Sequence, residues 1–313
     1  MRHIDAATTA RALPFETLIP ALERLFLEGC EVPQRHVHAI ADGPTTLVMP
    51  AWQAGRYLGI KIVNIAPGNA ALGLPGLFST YQLFDARTGA PVAFIDGDEI
   101  TSRRTAAASA LAASRLARAD ARRLLVVGAG RVASLLAPAY RTVLPIAVVQ
   151  VWNRHAAGAA ALVERLNRQG IAAEVAPDLE RAVAHADIVS CATLATAPLI
   201  RGEWLAPGTH LDLIGSFTPA MREADDACFA GAEVWVDTSE ALAKSGDLLA
   251  PLASGALRRE DVRGTLAGLC AHRRVPRGAA PRTVFKSVGT ALEDLAAAML
   301  VVASATAGDA AGG

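Results

Sequence analysis

The stretch Arg123-Leu-Leu-Val-Val-Gly-Ala-Gly-Arg-Val-Ala133 most narrows what this chain can fold into. A run of Leu and Val reads as a buried parallel strand, and it leads straight into Gly128-x-Gly130-x-x-Ala133. Val132, Leu135, Leu136, Ala139 and Tyr140 then follow at helical spacing. Strand, tight turn and helix in that order are the context a dinucleotide fingerprint requires. Gly128 permits the turn, Gly130 lets the backbone approach a pyrophosphate, and Ala133 keeps the helix close to the strand. The helix start, with Arg131 and Val132, offers free N–H groups and a positive dipole end to phosphates.

Downstream the pattern alternates. Strands are expected at 147–151, 172–176, 188–192, 210–214 and 233–236, with helices or turns between them, so the fold class is α/β: a Rossmann-type, doubly wound, mainly parallel sheet. Cofactor choice turns on the end of the second strand, where NAD-selective sites place an acid on the ribose. Here the chain reads Val151-Trp-Asn153-Arg154. A neutral and then a cationic residue favour NADP(H), with NAD(H) as the alternative; the other reading of Arg154 is a surface residue at a helix start. Thr193 follows the 188–192 strand and joins the cofactor candidates. The segment 283–295 reads as a short strand, a Ser287-Val-Gly289 turn and a long apolar helix. That turn either approaches the ligand or simply precedes the helix.

Length and charge limit the rest. At 313 residues the chain suits two domains. Its formal charge is zero, so no long-range field draws it to nucleic acid or an anionic membrane. No apolar run is long enough to span a bilayer, and Met1 to Ala12 lacks the apolar segment of a signal peptide. Cys30, Cys191, Cys228 and Cys270 show no CxxC spacing, which suits reduced thiols and a cytoplasmic location. The small, Gly-rich end of the chain, 306–313, reads as a disordered tail.

Before the fingerprint, apolar residues recur at helical period over 15–29. Strands are expected at 46–50, 57–65, 77–85 and 91–95, forming an antiparallel sheet. Arg35 is either an anion ligand or a solvated edge residue. His36 and His38 share a strand face, but no carboxylate or cysteine cluster supports a metal site, and none is expected. Lys61 is either an edge lysine or a cation reaching into a pocket. Thr101 or Ser102 would cap a helix whose first turn carries Arg103 and Arg104. Cations oppose the dipole there, so either an anion sits beside them or they extend to solvent.

Several motifs together resemble the ornithine cyclodeaminase/mu-crystallin family: Met49-Pro50, Lys61 with Pro67-Gly-Asn69, Gly73-Leu-Pro75, Ile100-Thr-Ser-Arg-Arg-Thr-Ala106, Gly128-Ala-Gly130 and Phe285-Lys-Ser-Val-Gly289. The resemblance implies a discontinuous α+β substrate-binding and dimerisation domain, 1–118 with 290–305, around a dinucleotide-binding domain, 119–289. It implies a homodimer. It assigns Arg35 and Arg104 to a substrate carboxylate, Lys61 to the substrate beside the nicotinamide, and Thr105 to the pyrophosphate. Two departures bear on activity. The acid that cyclodeaminases carry after the fifth Rossmann strand aligns with Phe217, in Gly215-Ser-Phe-Thr-Pro219, and the threonine of their substrate pocket aligns with Gly76. Phenylalanine cannot move a proton or hold an ammonium by charge; if it contacts substrate at all, it packs against it. The expectation is therefore an NAD(P)H-dependent reductase of cyclic ketimine carboxylates such as Δ1-pyrroline-2-carboxylate, giving proline. The alternatives are an ornithine cyclodeaminase, with Asp212 or Glu223 replacing the missing acid, and a mu-crystallin-like protein that binds NADPH and a small ligand.

Overall fold

The computed structural model of the chain describes residues 1–271 and 281–311. Its elements are, in chain order, β1 (Arg2–Ile4), α1 (Ala6–Ala12), α2 (Phe15–Glu28), β2 (His36–Ala39), β3 (Thr45–Trp52), β4 (Tyr57–Ile65), β5 (Leu77–Asp85), β6 (Pro91–Asp96) and α3 (Gly97–Leu116). The chain continues through β7 (Arg123–Val127), α4 (Ala133–Val143), β8 (Val148–Trp152), α5 (Ala156–Arg168), β9 (Ala173–Val175), α6 (Leu179–His185) and β10 (Ile188–Cys191). It ends with β11 (His210–Leu213), β12 (Glu233–Val236), α7 (Ala241–Lys244), α8 (Gly246–Ser254), β13 (Val262–Thr265), α9 (Leu266–Ala271), β14 (Thr283–Lys286) and α10 (Ala291–Ala311). They divide into two units: Met1–Arg104 with Thr290–Gly313, and Thr105–Gly289. The dividing point lies inside α3, where the sequence reading sets it at 118/119.

In the first unit, β2 to β6 form an antiparallel meander and β1 adds in parallel beside β6, in the order β1-β6-β5-β4-β3-β2. Period-two alternation gives the sheet one buried and one exposed face. On β4, Gly59, Lys61 and Val63 are buried, while Ile62 and Asn64 are exposed. α10 packs on β3 and β4, and α2 packs on α10 through a face that buries Leu18, Ile19, Leu22, Leu25 and Phe26. The end of the chain departs from expectation: α10 runs on through Ala311, where a disordered tail was expected from residue 306. Residues 312–313 of that expected tail lie outside the described residues.

The start of α3 corrects the sequence reading. Asp96-Gly97 looks like a turn, yet the helix begins at Gly97 and carries Asp98 and Glu99 in its first turn. The Asp96 carboxylate accepts the Glu99 N–H at 2.7 Å, satisfying one of the donors a helix start leaves open. Gly97 is required because a methyl group there would lie 2.6 Å from the Thr80 nitrogen. Thr101 and Ser102 are therefore interior residues rather than caps. Arg103 and Arg104 sit beyond the first turn, and the dipole no longer argues for an anion beside them.

In the second unit all paired strands are parallel, in the order β13-β12-β14-β11-β10-β7-β8-β9. The chain winds outward from β7 through β8 and β9, then returns to place β10 on the other side of β7. That reversal is a topological switch point, where open α/β sheets bind ligands at the carboxyl ends of their strands. The second unit is thus the doubly wound Rossmann sheet the sequence implies, with strands within a residue or two of expectation. β13 has no counterpart in the sequence reading, because Val262-Arg-Gly-Thr265 carries too weak a pattern. Lys286 is fully buried in mid-sheet β14, an exceptional place for a charge.

Candidate functional site

The first unit gathers charge around Lys61. β4 is an inner strand, so Lys61 is no edge lysine; it is 1% exposed, and its ammonium meets Asp294 Oδ2 at 2.7 Å. Thr101 Oγ1 accepts from Nζ at 3.3 Å. Arg104 is also buried. It donates through Nε to Asp294 Oδ1 at 2.9 Å and through Nη1 to Glu293 Oε2 at 2.7 Å. One carboxylate, Asp294, therefore bridges both cations. Its helix favours the acids, since Glu293 and Asp294 occupy the first turn of α10, where the dipole stabilises negative charge.

These neighbours set the protonation states. Burial lowers the Lys61 pKa to about 8, the charges of Arg104 and Arg35 push the same way, and Asp294 opposes them. Burial raises the Asp294 carboxyl, yet Lys61 and Arg104 outweigh it and hold the group below its ordinary value. Arg35, half-buried just before β2, thus adds its positive field at Lys61. Arg103 does other work: it pairs with Glu99 at 2.6 Å and donates to the Leu13 carbonyl at 3.2 Å, tying α3 to the α1–α2 turn. Cross-strand from Lys61, Tyr81 is fully buried, and its hydroxyl has no hydrogen-bond partner among the described residues.

The second unit holds the dinucleotide candidates at the switch point. Gly128 has φ +117°, and a methyl group there would lie 2.5 Å from the Ala192 carbonyl oxygen, so no other residue fits the turn. At Gly130 a methyl group would meet nothing within 4 Å. No side chain caps the start of α4 at Val132. Open space over Gly130 and an uncapped helix start suit a pyrophosphate. Arg131 is exposed beside them, and Thr105 is buried in α3. At the end of β8, Asn153 donates to the His155 carbonyl at 3.0 Å, and Arg154 is exposed. Ser287 is buried, and Gly289 takes a positive φ of 77°. Asp237 holds that turn by accepting the Val288 and Gly289 N–H groups at 2.7 and 2.6 Å.

Thr193 is fixed by a residue with a different expected role. Glu223 is fully buried; its Oε1 accepts the Thr193 N–H and hydroxyl, both at 2.7 Å, and its Oε2 accepts the Gly215 N–H at 2.7 Å. It thereby ties the ends of β10 and β11 together. Asp247 accepts the Glu223 and Ala224 N–H groups at 2.8 and 3.0 Å and faces Lys286 at 3.7 Å. Asp212 accepts from the hydroxyls of Ser109, Tyr140 and Ser190. Burial raises Asp212 to about 6 and Glu223 to about 7. Both acids are fully buried and already engaged, Asp212 within β11 and Glu223 in the segment that follows the 215–219 loop. In that loop Ser216 is buried and bonded to the Met221 carbonyl at 2.6 Å, while Phe217 is 40% exposed.

Glu293, Asp294 and Asp247 were not among the sequence candidates, and Glu223 was one only as a replacement for the missing acid. The signal for the α10 pair was an adjacent Glu-Asp in an otherwise apolar helix, which demands cationic partners.

Comparison with known proteins assigns the chain a family and a fold. Residues 20–309 match the model of the ornithine cyclodeaminase/mu-crystallin family. A Δ1-pyrroline-2-carboxylate reductase from Paracoccus denitrificans is 45% identical over 86% of this chain and 87% of its own. The Thermococcus litoralis Δ1-pyrroline-2-carboxylate reductase, solved with NADH and L-proline, superposes with a TM-score of 0.93 at 29% identity, covering 99% of this chain and 98% of that one. An archaeal alanine dehydrogenase dimer with bound NAD superposes with a TM-score of 0.91 at 27% identity, covering 99% and 97%. With a family model spanning nearly its whole length, this chain belongs to the ornithine cyclodeaminase/mu-crystallin family.

Proposed function

We propose that the protein is an NAD(P)H-dependent reductase of cyclic ketimine carboxylates, with Δ1-pyrroline-2-carboxylate reduced to proline as the type reaction. One observation carries this reading beyond family membership. A cationic cluster suited to a carboxylate is present, whereas the 215–219 loop holds no acid and the nearby acids are buried and engaged. Cyclodeamination needs a group to manage a second amine and its protons; reduction of a preformed imine does not.

Arg35 and Arg104 bind and orient the substrate carboxylate. The Arg104 ion pairs use Nε and Nη1, and Nη2 is outside them. Lys61, protonated below about pH 8, supplies a proton to the imine nitrogen and makes the carbon electrophilic. Phe217 offers an apolar surface to the ring. Gly128, Gly130, Arg131, Val132, Thr105, Thr193, Ser287 and Gly289 hold the cofactor, which when bound supplies the hydride. Asn153 and Arg154 favour the NADP 2′-phosphate over a bare ribose. The exposed apolar side chains Ile62, Leu72, Leu74 and Phe78 of the first unit support a homodimer built on that face. Four free thiols, three of them buried, suit the cytoplasm, and proline metabolism is the pathway class.

The test is spectrophotometric: Δ1-pyrroline-2-carboxylate and its six-membered homologue with NADH and NADPH, following cofactor oxidation and the cyclic amino acid. Steady turnover with NADPH preferred is the expected result, and equal affinity for the two cofactors would remove the Arg154 assignment. Ammonia and proline formed from ornithine with catalytic NAD, at rates comparable to imine reduction, would replace the reductase with a cyclodeaminase.

A further inference from the structure

We propose that Asp294 is a positioning residue for imine reduction, its single carboxylate setting both the place and the protonation of Lys61 while fixing Arg104 at the same time. The proposal rests on the reading of this cluster as the imine-reducing site, and it goes further by naming what makes Lys61 a usable proton donor.

The geometry assigns one oxygen to each cation: Oδ2 to Lys61 at 2.7 Å and Oδ1 to the Arg104 Nε at 2.9 Å. The carboxylate is fully buried, so these contacts are not diluted by solvent. On β3 the residue across from Lys61 is the apolar Met49; the polar and charged groups come from the other elements. β5 brings Tyr81, α3 brings Thr101 and Arg104, α10 brings Glu293 and Asp294, and Arg35 precedes β2. Arg104 and Arg35 repel a proton on Lys61; Asp294 is the anion that opposes them. Glu293 reaches Arg104 rather than Lys61. Without the Asp294 charge, a buried lysine beside an arginine would lose its proton at a lower pH, and less of it would be protonated at neutral pH. A merely structural acid would pin α10 to the sheet without any need to touch the reacting cation.

The chain has only three lysines, Lys61, Lys244 and Lys286, so lysine labelled with ¹³C at Cε gives a resolved titration for Lys61. In the parent that titration is expected near pH 8, and kcat/KM for imine reduction falls as pH rises through the same value. Asp294→Asn keeps the shape and removes the charge. Its Lys61 titration and the alkaline limb of kcat/KM should both move down by about one unit or more, since an opposite charge at this range shifts a pKa by about 1–3 units. Asp294→Glu keeps the charge but displaces it by a methylene. It should hold the titration near the parent's and lower kcat, with the Kd for NADPH unchanged, and it carries the test if Asp294→Asn does not fold. An Asn variant with the parent's Lys61 titration, or a Glu variant with the parent's kcat, overturns the proposal. If the titration moves as stated but no imine is reduced even by the parent, the functional reading fails and the control of Lys61 by Asp294 stands.

Discussion

Arg104 shows how a residue can serve a ligand and the fold together. Its guanidinium is the counter-charge of two buried carboxylates, so its removal does more than empty a binding position. We expect Arg104→Gln to reduce kcat/KM for imine carboxylates by about 100-fold or more, as lost charge-assisted contacts cost about 1.5–3 kcal/mol each. It should also lower the melting temperature, because an uncompensated buried charge typically costs about 3–5 kcal/mol. NADPH affinity should persist, since the cofactor residues belong to the other unit. Calorimetry, cofactor fluorescence titration and initial rates check the three statements; a variant with the parent's stability would show that Glu293 and Asp294 do not depend on Arg104. Lys61 and Arg104 were singled out in the sequence by the motifs they share with a family, while the dipole argument for Arg104 fell with the true start of α3. Their partners were not legible, because acids at a helix start already have an ordinary electrostatic explanation.

At the scale of elements, strands were read well and helix starts poorly. β7, β8, β10, β11 and β12 were placed to within a residue or two; β10 and β11 are buried on both faces, while β8 and β12 show period-two alternation. α3 was misread because Asp96-Gly97 is a turn signal by composition, whereas here Asp96 supplies a helix cap and Gly97 relieves a backbone clash. The clamp between β10 and β11 was invisible, since Glu223 lies thirty residues beyond Thr193 along the chain. Its importance yields a prediction with two signs. Glu223→Gln turns one acceptor into a donor facing the Thr193 or Gly215 N–H, so NADPH should bind about tenfold more weakly, the cost of about one charge-assisted hydrogen bond. Burial raises the Glu223 pKa from 4.5 to about 7. A raised carboxyl contributes stability that is complete below pH 4.5 and lost as pH rises through about 7. The parent's melting temperature should thus decline across this window, and the Gln variant's should decline less. A variant with an unchanged slope and unchanged NADPH affinity would show that Glu223 is incidental to the crevice.

For the whole molecule, the two-part organisation was legible because the fingerprint occurs in mid-chain, which leaves flanking segments to make the other unit. The proposed homodimer belongs to this scale too. Ile62, 40% exposed, and Phe78, 45% exposed, project from β4 and β5, and exposed apolar clusters of this kind commonly mark interfaces. Light scattering should report twice the 32.5 kDa chain mass, and Ile62→Asp with Phe78→Asp should give monomers that keep NADPH binding; a monomeric parent would remove the dimer. The position of α10 has a consequence for synthesis. A ribosome finishes the whole second unit before it makes Glu293 and Asp294, and domains generally fold as units during translation. Lys61 on β4 and Arg104 on α3 then exist for most of that time as two cations without their acids, beside a sheet that also lacks its covering helix. The dinucleotide half of the protein can thus mature early, while the half that carries Lys61 and Arg104 waits for α10 to leave the ribosome.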